Sequence, residues 1–188
     1  MADEIAVSNF YSGASHFADN TDFEVQRTNH FEVVLDLQPL GLEGDNGNAY
    51  SDHIRLSTKS VSAPKMSSEA VSLKHGNDTV KVASAPSFED VTITIHDTLG
   101  RDQVGLLQTW FSRVFNRQTK LMGRVASYKT TGTLYMYAPD CTVIRKWILQ
   151  GVWPKEFGQS NEFSFDSTET QTISLVLSVD RYFEEIDT

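Results

Sequence analysis

Residues 71 to 82, VSLKHGNDTVKV, place two short alternating runs around a Gly-Asn centre, and this pattern constrains everything around it. A glycine in the first position of a two-residue loop suits a type II′ hairpin turn, whose first central residue needs positive φ. With Gly76 and Asn77 as that loop, Leu73 faces Val80 and Val71 faces Val82, so one face of the ribbon is apolar. The opposite face carries Ser72, Lys74, Thr79 and Lys81. A lone two-stranded hairpin is marginal in water, so its dry side has to be covered by the remainder of the chain or by another copy. Lys74 and Lys81 read as charges that keep a strand edge soluble, in preference to a phosphate site.

The flanking sequence is mostly strand-like. HFEVVLDL puts Phe31, Val33, Leu35 and Leu37 on one side, and VTITIH alternates Val91, Ile93 and Ile95 inward with Thr92, Thr94 and His96 outward. Residues 38 to 52, QPLGLEGDNGNAYSD, read as a Gly-rich loop, and HIRLSTKSVSAP as the strand that follows it. Further strands are predicted in TGTLYMYA, TVIRKWILQGVW and TISLVLSVDRYF, the last with Ile173, Leu175, Leu177 and Val179 on one face. One segment differs. In residues 103 to 117, Val104, Leu107, Phe111 and Val114 recur at helical spacing, widened by Trp110 and Phe115, and Asp102 is placed to cap the N-terminus. About seven strands and one helix point to a mainly β (α+β) fold: a small β-barrel or two-sheet sandwich, one flanking α-helix with a core of Leu107, Trp110, Phe111 and Val114, and a long protruding hairpin. Residues 1 to 29 show no period and read as an extended arm whose aromatics, Phe10, Tyr11, Phe17 and Phe23, hint at docking. Residues 30 to 183 then form the domain, and 184 to 188 an acidic tail.

Composition narrows the chemistry. With 16 basic against 25 acidic residues the formal charge is −9, which disfavours tight binding to nucleic acid phosphates. Cys141 is the single cysteine, so an intrachain disulfide or thiolate zinc site is not available, as befits a protein folded in cytoplasm. The opening MADEIAVSNF is acidic where a secretory signal is basic, and no apolar run approaches membrane-spanning length, so a soluble protein without membrane contact is expected. No G-x-S-x-G elbow, P-loop or H-E-x-x-H is present, and His16, His30, His53, His75 and His96 are scattered without ligand spacing. His96 and Asp97 are adjacent and would point to opposite faces of a strand. Cys141 sits in the turn APDC away from a basic cluster, and the acidic tail reads as solvated charge. No catalytic, cofactor-binding or metal-binding residue is therefore assigned. A hairpin with one dry face, in a chain lacking a catalytic constellation, points toward self-assembly through Val71, Leu73, Lys74, Val80, Lys81 and Val82.

Five segments in order resemble the tail tube proteins of contractile-tailed (myovirus) bacteriophages: HFEVVLDL, the hairpin leading into SFEDVTITIHD, DQVGLLQTWFSRVFN, WILQGVWPKEFG, and FSFDSTETQTISLVLSVD. The similarity covers about residues 30 to 183, carried most specifically by the alternating strand ahead of the helix and by Gly-x-Trp-Pro. Pro154 lacks a ladder donor and Trp153 is bulky enough to plug a barrel mouth, so the pair is expected to close its strand. The resemblance implies a hexameric ring-forming subunit, with rings stacked into a tube inside a contractile sheath. It further implies a tape measure protein and baseplate or terminator proteins at the tube ends, and double-stranded DNA in transit without tight binding. The location so implied is the virion tail, assembled in the host cytoplasm. The alternative with the same fold is the tube protein of a type VI secretion or extracellular contractile injection system. A monomeric ligand-binding β-sandwich and a hydrolase with a dispersed site are the readings from other classes.

Overall fold

The computed structural model describes residues 26–42, 50–100, 102–159, 164–166 and 168–186. The predicted arm up to residue 25, and much of the Gly-rich loop, lie outside them. The strands are β1 (Phe31–Leu35), β2 (Thr58–Val61), β3 (Met66–His75), β4 (Asp78–Phe88), β5 (Val91–His96), β6 (Thr130–Tyr137), β7 (Val143–Gln159), β8 (Thr172–Ser178) and β9 (Arg181–Ile186). Helix α1 spans Tyr50–Ser57, α2 Gln103–Val114 and the short α3 Val125–Tyr128.

Six strands form one antiparallel path, β1-β6-β7-β8-β5-β2, and β9 joins beside β7 as the seventh. β7 is the hinge of this path. Its first part pairs with β6 and β9, and its last part, from Trp153, pairs with β8. The chain therefore folds two sheets against each other by bending one long strand, and strand sharing of this kind makes the corner of a sandwich. Gly151 lies at the bend with φ +69, where an L side chain is strained. β1 and β2, the two ends of the path, do not pair, so the barrel alternative is corrected to an open sandwich.

The strand alternations place the core as the sequence indicates. Val33 and Leu35 of β1, Val91, Ile93 and Ile95 of β5, Leu149 and Val152 of β7, and Ile173, Leu175 and Leu177 of β8 are all buried. Residues 172 to 183, expected as one strand, are split at Val179 and Asp180 into β8 and β9, which both track β7. Residues 184 to 186, expected in the acidic tail, continue β9. There Glu184 pairs with Arg145 at 3.5 Å and Glu185 with Lys146 at 2.8 Å.

Two helical expectations need correction. Residues 53 to 57 belong to α1 and not to a strand. Ile54 is buried, Leu56 is exposed, the Ser57 hydroxyl donates to the His53 carbonyl and Thr58 to the Ile54 carbonyl. Ile-x-Leu is compatible with either period, and here Ile54 is buried while Leu56 faces solvent, as a helix and not a one-faced strand places residues two apart. The α2 helix stops at Val114, with Phe115 already extended. Its buried stripe is Gln103, Leu106, Leu107, Trp110 and Val114. Phe111 is only half-buried and meets Phe157, ring centroids 5.6 Å apart, at the rim of the helix face.

Candidate functional site

β3 and β4 form a two-stranded sheet separate from the main one. Their register brings Leu73 opposite Val80, Val71 opposite Val82, Lys74 opposite Thr79 and Lys81 opposite Ser72. His75 and Asp78 close the ladder around Gly76, whose φ of +65 supplies the positive first position of the turn. The base of the ribbon is fastened. The Ser67 and Ser87 hydroxyls are 3.0 Å apart, the Ser68 hydroxyl donates to the Ser84 carbonyl at 2.7 Å, and Glu89 N–H donates to the Lys65 carbonyl. Phe88 packs edge-on against Tyr182 of β9, 5.4 Å between centroids. Beyond that anchor the ribbon projects from the body for a length of about 30 Å.

No part of the described subunit covers its dry face. Val71, Leu73, Val80 and Val82 are 45, 51, 53 and 41% exposed, and every residue of β3 is exposed. A contiguous set of branched apolar side chains on an unsupported ribbon signals a surface meant for another chain. Lys74 and Lys81 lie on the opposite, wet face, where they leave the apolar seam uncharged.

The body that carries this arm is held by α2. The Asp102 carboxylate accepts from Gly105 N–H at 2.7 Å and caps the helix. Trp110 is fully buried, and its indole N–H donates to the Tyr128 carbonyl at 2.8 Å, tying α2 to α3. Leu107 and Val114 are buried beside it.

Trp153 and Pro154 do not end a strand. Pro154 pairs with Leu177 and Trp153 with Ser178, after which β7 runs on to Gln159 through a bulge between Pro154 and Glu156. Trp153 is half-buried and meets Tyr128 at 6.0 Å instead of plugging a barrel mouth. The strand-closing role is corrected to a sheet-switching one: a residue without a ladder donor sits where β7 leaves β6 and takes up β8.

Between the unpaired β1 and β2 runs a groove of about 930 Å³, lined by Phe31, Leu56, Val61, Met136 and Trp147 among others. At its rim Tyr137 donates to Glu32, and Glu32 also pairs with Arg55 at 2.9 Å. Burial pushes the Tyr137 hydroxyl up to about 12, with the hydrogen bond to Glu32 adding to the effect. Sequence reading missed this network because its three members are far apart in the chain. At the residues considered for catalysis, β5 ends at His96, Asp97 N–H donates to the Gln171 carbonyl, and Cys141 is exposed in its turn. Among the described residues no helix is long and apolar enough to cross a membrane.

The described subunit is an open sandwich with a flanking helix and an uncovered β-arm. The family model for the T4-like virus tail tube protein gp19 matches residues 27–182, and the chain belongs to that family. It is a structural tail tube subunit. Tail tube protein gp19 of Enterobacteria phage T4 is 27% identical over 129 residues, 67% of this chain and 78% of the relative; its counterpart in phage T6 is 26% identical over the same length. The fold is also that of a chain in the sheath-tube complex of an extracellular contractile injection system (TM-score 0.63, 14% identity, 92% of this chain and 97% of that one). A chain of the anti-feeding prophage tube-terminating cap is similar too, with TM-score 0.62, 15% identity, and 90% and 99% covered. Likeness to the injection systems is one of fold, whereas the family match is to phage tail tubes.

Proposed function

We propose that six copies of the chain close a ring through the β3–β4 arm and adjoining strands. Rings stack into a hollow tube inside a contractile sheath, and the channel conducts the genome during ejection. The observation that carries this reading is the exposed apolar face of the arm: it is well formed, fastened at its base and without a partner in the described subunit. Ring closure is the physical remedy for such an edge, because a closed set of copies leaves no strand unpaired. The open edges of β1, β2 and β9 are further candidates for the same use.

Partners other than itself are the sheath outside, the tape measure protein within, and baseplate and terminator proteins at the ends. Solved chains of this fold occur in a sheath-tube complex and a tube-terminating cap, which supports that set. The reading assigns the chain no catalytic role and no cofactor, since a conduit needs neither. It places the chain in the virion tail after assembly in the host cytoplasm, and it lets double-stranded DNA pass without being gripped. Negative-stain microscopy of the purified full chain tests it: rings of sixfold symmetry and rods are expected, and a protein that stays monomeric at high concentration would refute it.

A further inference from the structure

Charge is unevenly distributed along this acidic chain. From Gln103 to Pro139 there are five basic residues and no acidic one. Two of the five are used within the subunit: Arg113 donates to the Leu40 carbonyl and Lys129 pairs with Asp180 at 2.6 Å. The other three, Arg117, Lys120 and Arg124, are exposed on a loop folded back over the end of α2. That loop is built, with Asn116 N–H donating to Leu121, Gly123 N–H to Val114, and a bridge between Phe115 and Met122. It holds Leu121 and Met122 in solvent at 68 and 71% exposure between Lys120 and Arg124, and Val125, 57% exposed, follows at the start of α3. A fixed surface that is both cationic and apolar, on a chain of charge −9, calls for an anionic occupant with apolar side chains of its own.

Residues 1 to 25 have that chemistry. They contain Asp3, Glu4, Asp19, Asp22 and Glu24, no lysine or arginine, and the aromatics Phe10, Tyr11, Phe17 and Phe23. A second acidic run, 156 to 180, lacks basic residues too, but its Asp180 is already paired with Lys129. Reach alone admits the same copy or an adjacent one, and charge favours the neighbour. The described chain starts at Gln26, whose side chain donates to the Tyr137 carbonyl at the far end of β6, whereas the cationic loop leads through α3 into the Thr130 end. Those ends are about 23 Å apart, and 25 residues can extend to about 80 Å. Where copies stack head to tail along β6, the exit end of one copy faces the loop end of the next, and such a heterologous contact relieves the repulsion between like-charged copies. We infer that the surface of Arg117, Lys120, Leu121, Met122, Arg124 and Val125 is the dock for residues 1 to 25 of an adjacent copy.

This rests on the stacked-tube reading, and the test keeps the two apart. Full-length protein, half of it ¹⁵N-labelled, is allowed to assemble, linked with a zero-length carbodiimide and analysed by mass spectrometry. Lys120 is expected to link to Asp19, Asp22 or Glu24 in mixed-label pairs. Links from Lys120 only within one copy, only to acids of 156 to 188, or to no carboxylate overturn the proposal, and rods in the same sample would leave the tube intact. A second measurement uses charge reversal. Arg117→Glu, Lys120→Glu and Arg124→Glu together should abolish rods with an unchanged melting temperature, and adding Asp19→Lys, Asp22→Lys and Glu24→Lys should restore them. Reversed variants that assemble like the parent, or that the second set fails to rescue, count against the dock; if the triple variant unfolds, the cross-links alone decide.

Discussion

The carboxylate of Asp180 lies directly over Gly151, so close that a Cβ added there would come within 2.1 Å of Oδ2 and 2.9 Å of the Asp180 Cβ. The same carboxylate holds Lys129 at 2.6 Å, and Asp180 N–H donates to the Gln150 carbonyl. The bend of β7 and the junction of β8 with β9 are thus held together at one point. Gly151→Ala must bear a left-handed backbone as well as this clash. The backbone alone should cost about 1 to 3 kcal/mol, or a fall in melting temperature of about 2 to 12 °C for a domain of this size. An unchanged melting curve would mean the corner is not held here.

The α2 stripe ranks two substitutions. Leu107 is 1% exposed, so Leu107→Ala should cost about 2 to 5 kcal/mol by transfer and cavity terms. Phe111 sits at the rim, and Phe111→Ala should cost less in spite of its larger side chain. Chemical denaturation of both variants checks the order, and the reverse order would mean that Phe111 and not Leu107 packs on the sheets.

Tyr137 gives the fold an alkaline sensitivity. Its folded value, about 12, is above the value of about 10 for a free phenol. The folded state therefore retains the proton longer, and the stability this contributes is complete below pH 10 and lost as pH rises through 12. Tyr137→Phe should flatten the decline in stability over that window, as measured by denaturation at a series of pH values. A decline as steep as in the parent would assign it to other groups.

Duplex DNA should bind weakly or not at all at physiological salt. Six copies would carry six times the −9 of one, and a conduit works best when its wall repels phosphate. A tight, salt-sensitive gel shift would count heavily against passage of the genome through this tube.

How far the sequence carries differs from residue to residue. The hairpin register was legible because a two-residue Gly-first loop leaves a single pairing, and Val91, Ile93 and Ile95 were legible because period two is unambiguous when each alternate residue is branched and apolar. The Asp102 cap was legible as a short polar side chain directly before a helical stripe. Helix α1 was not, since Ile54 and Leu56 fit a strand equally well and only long-range burial separates them. Nor was the course of β7 through Pro154. A proline ends pairing on one side only, and here the partner changes from β6 to β8 at that point. The Glu32, Arg55 and Tyr137 network has no local signal, and the cations of the 117 to 124 loop stand apart from Arg113 and Lys129 only through long-range pairings, with Leu40 and with Asp180.

In the proposed ring the dry face of the β3–β4 arm is completed by another copy. Val80 is 53% exposed in the subunit, so a charge there leaves the fold intact, whereas in a covered seam an unpaired carboxylate costs several kcal/mol. The measurement is electron microscopy of Val80→Asp beside Val80→Ile, with circular dichroism of both. Val80→Asp should remain soluble, keep its spectrum and form neither rings nor rods, while Val80→Ile assembles. Rings and rods formed normally by Val80→Asp, or loss of its folded spectrum, would contradict the claim.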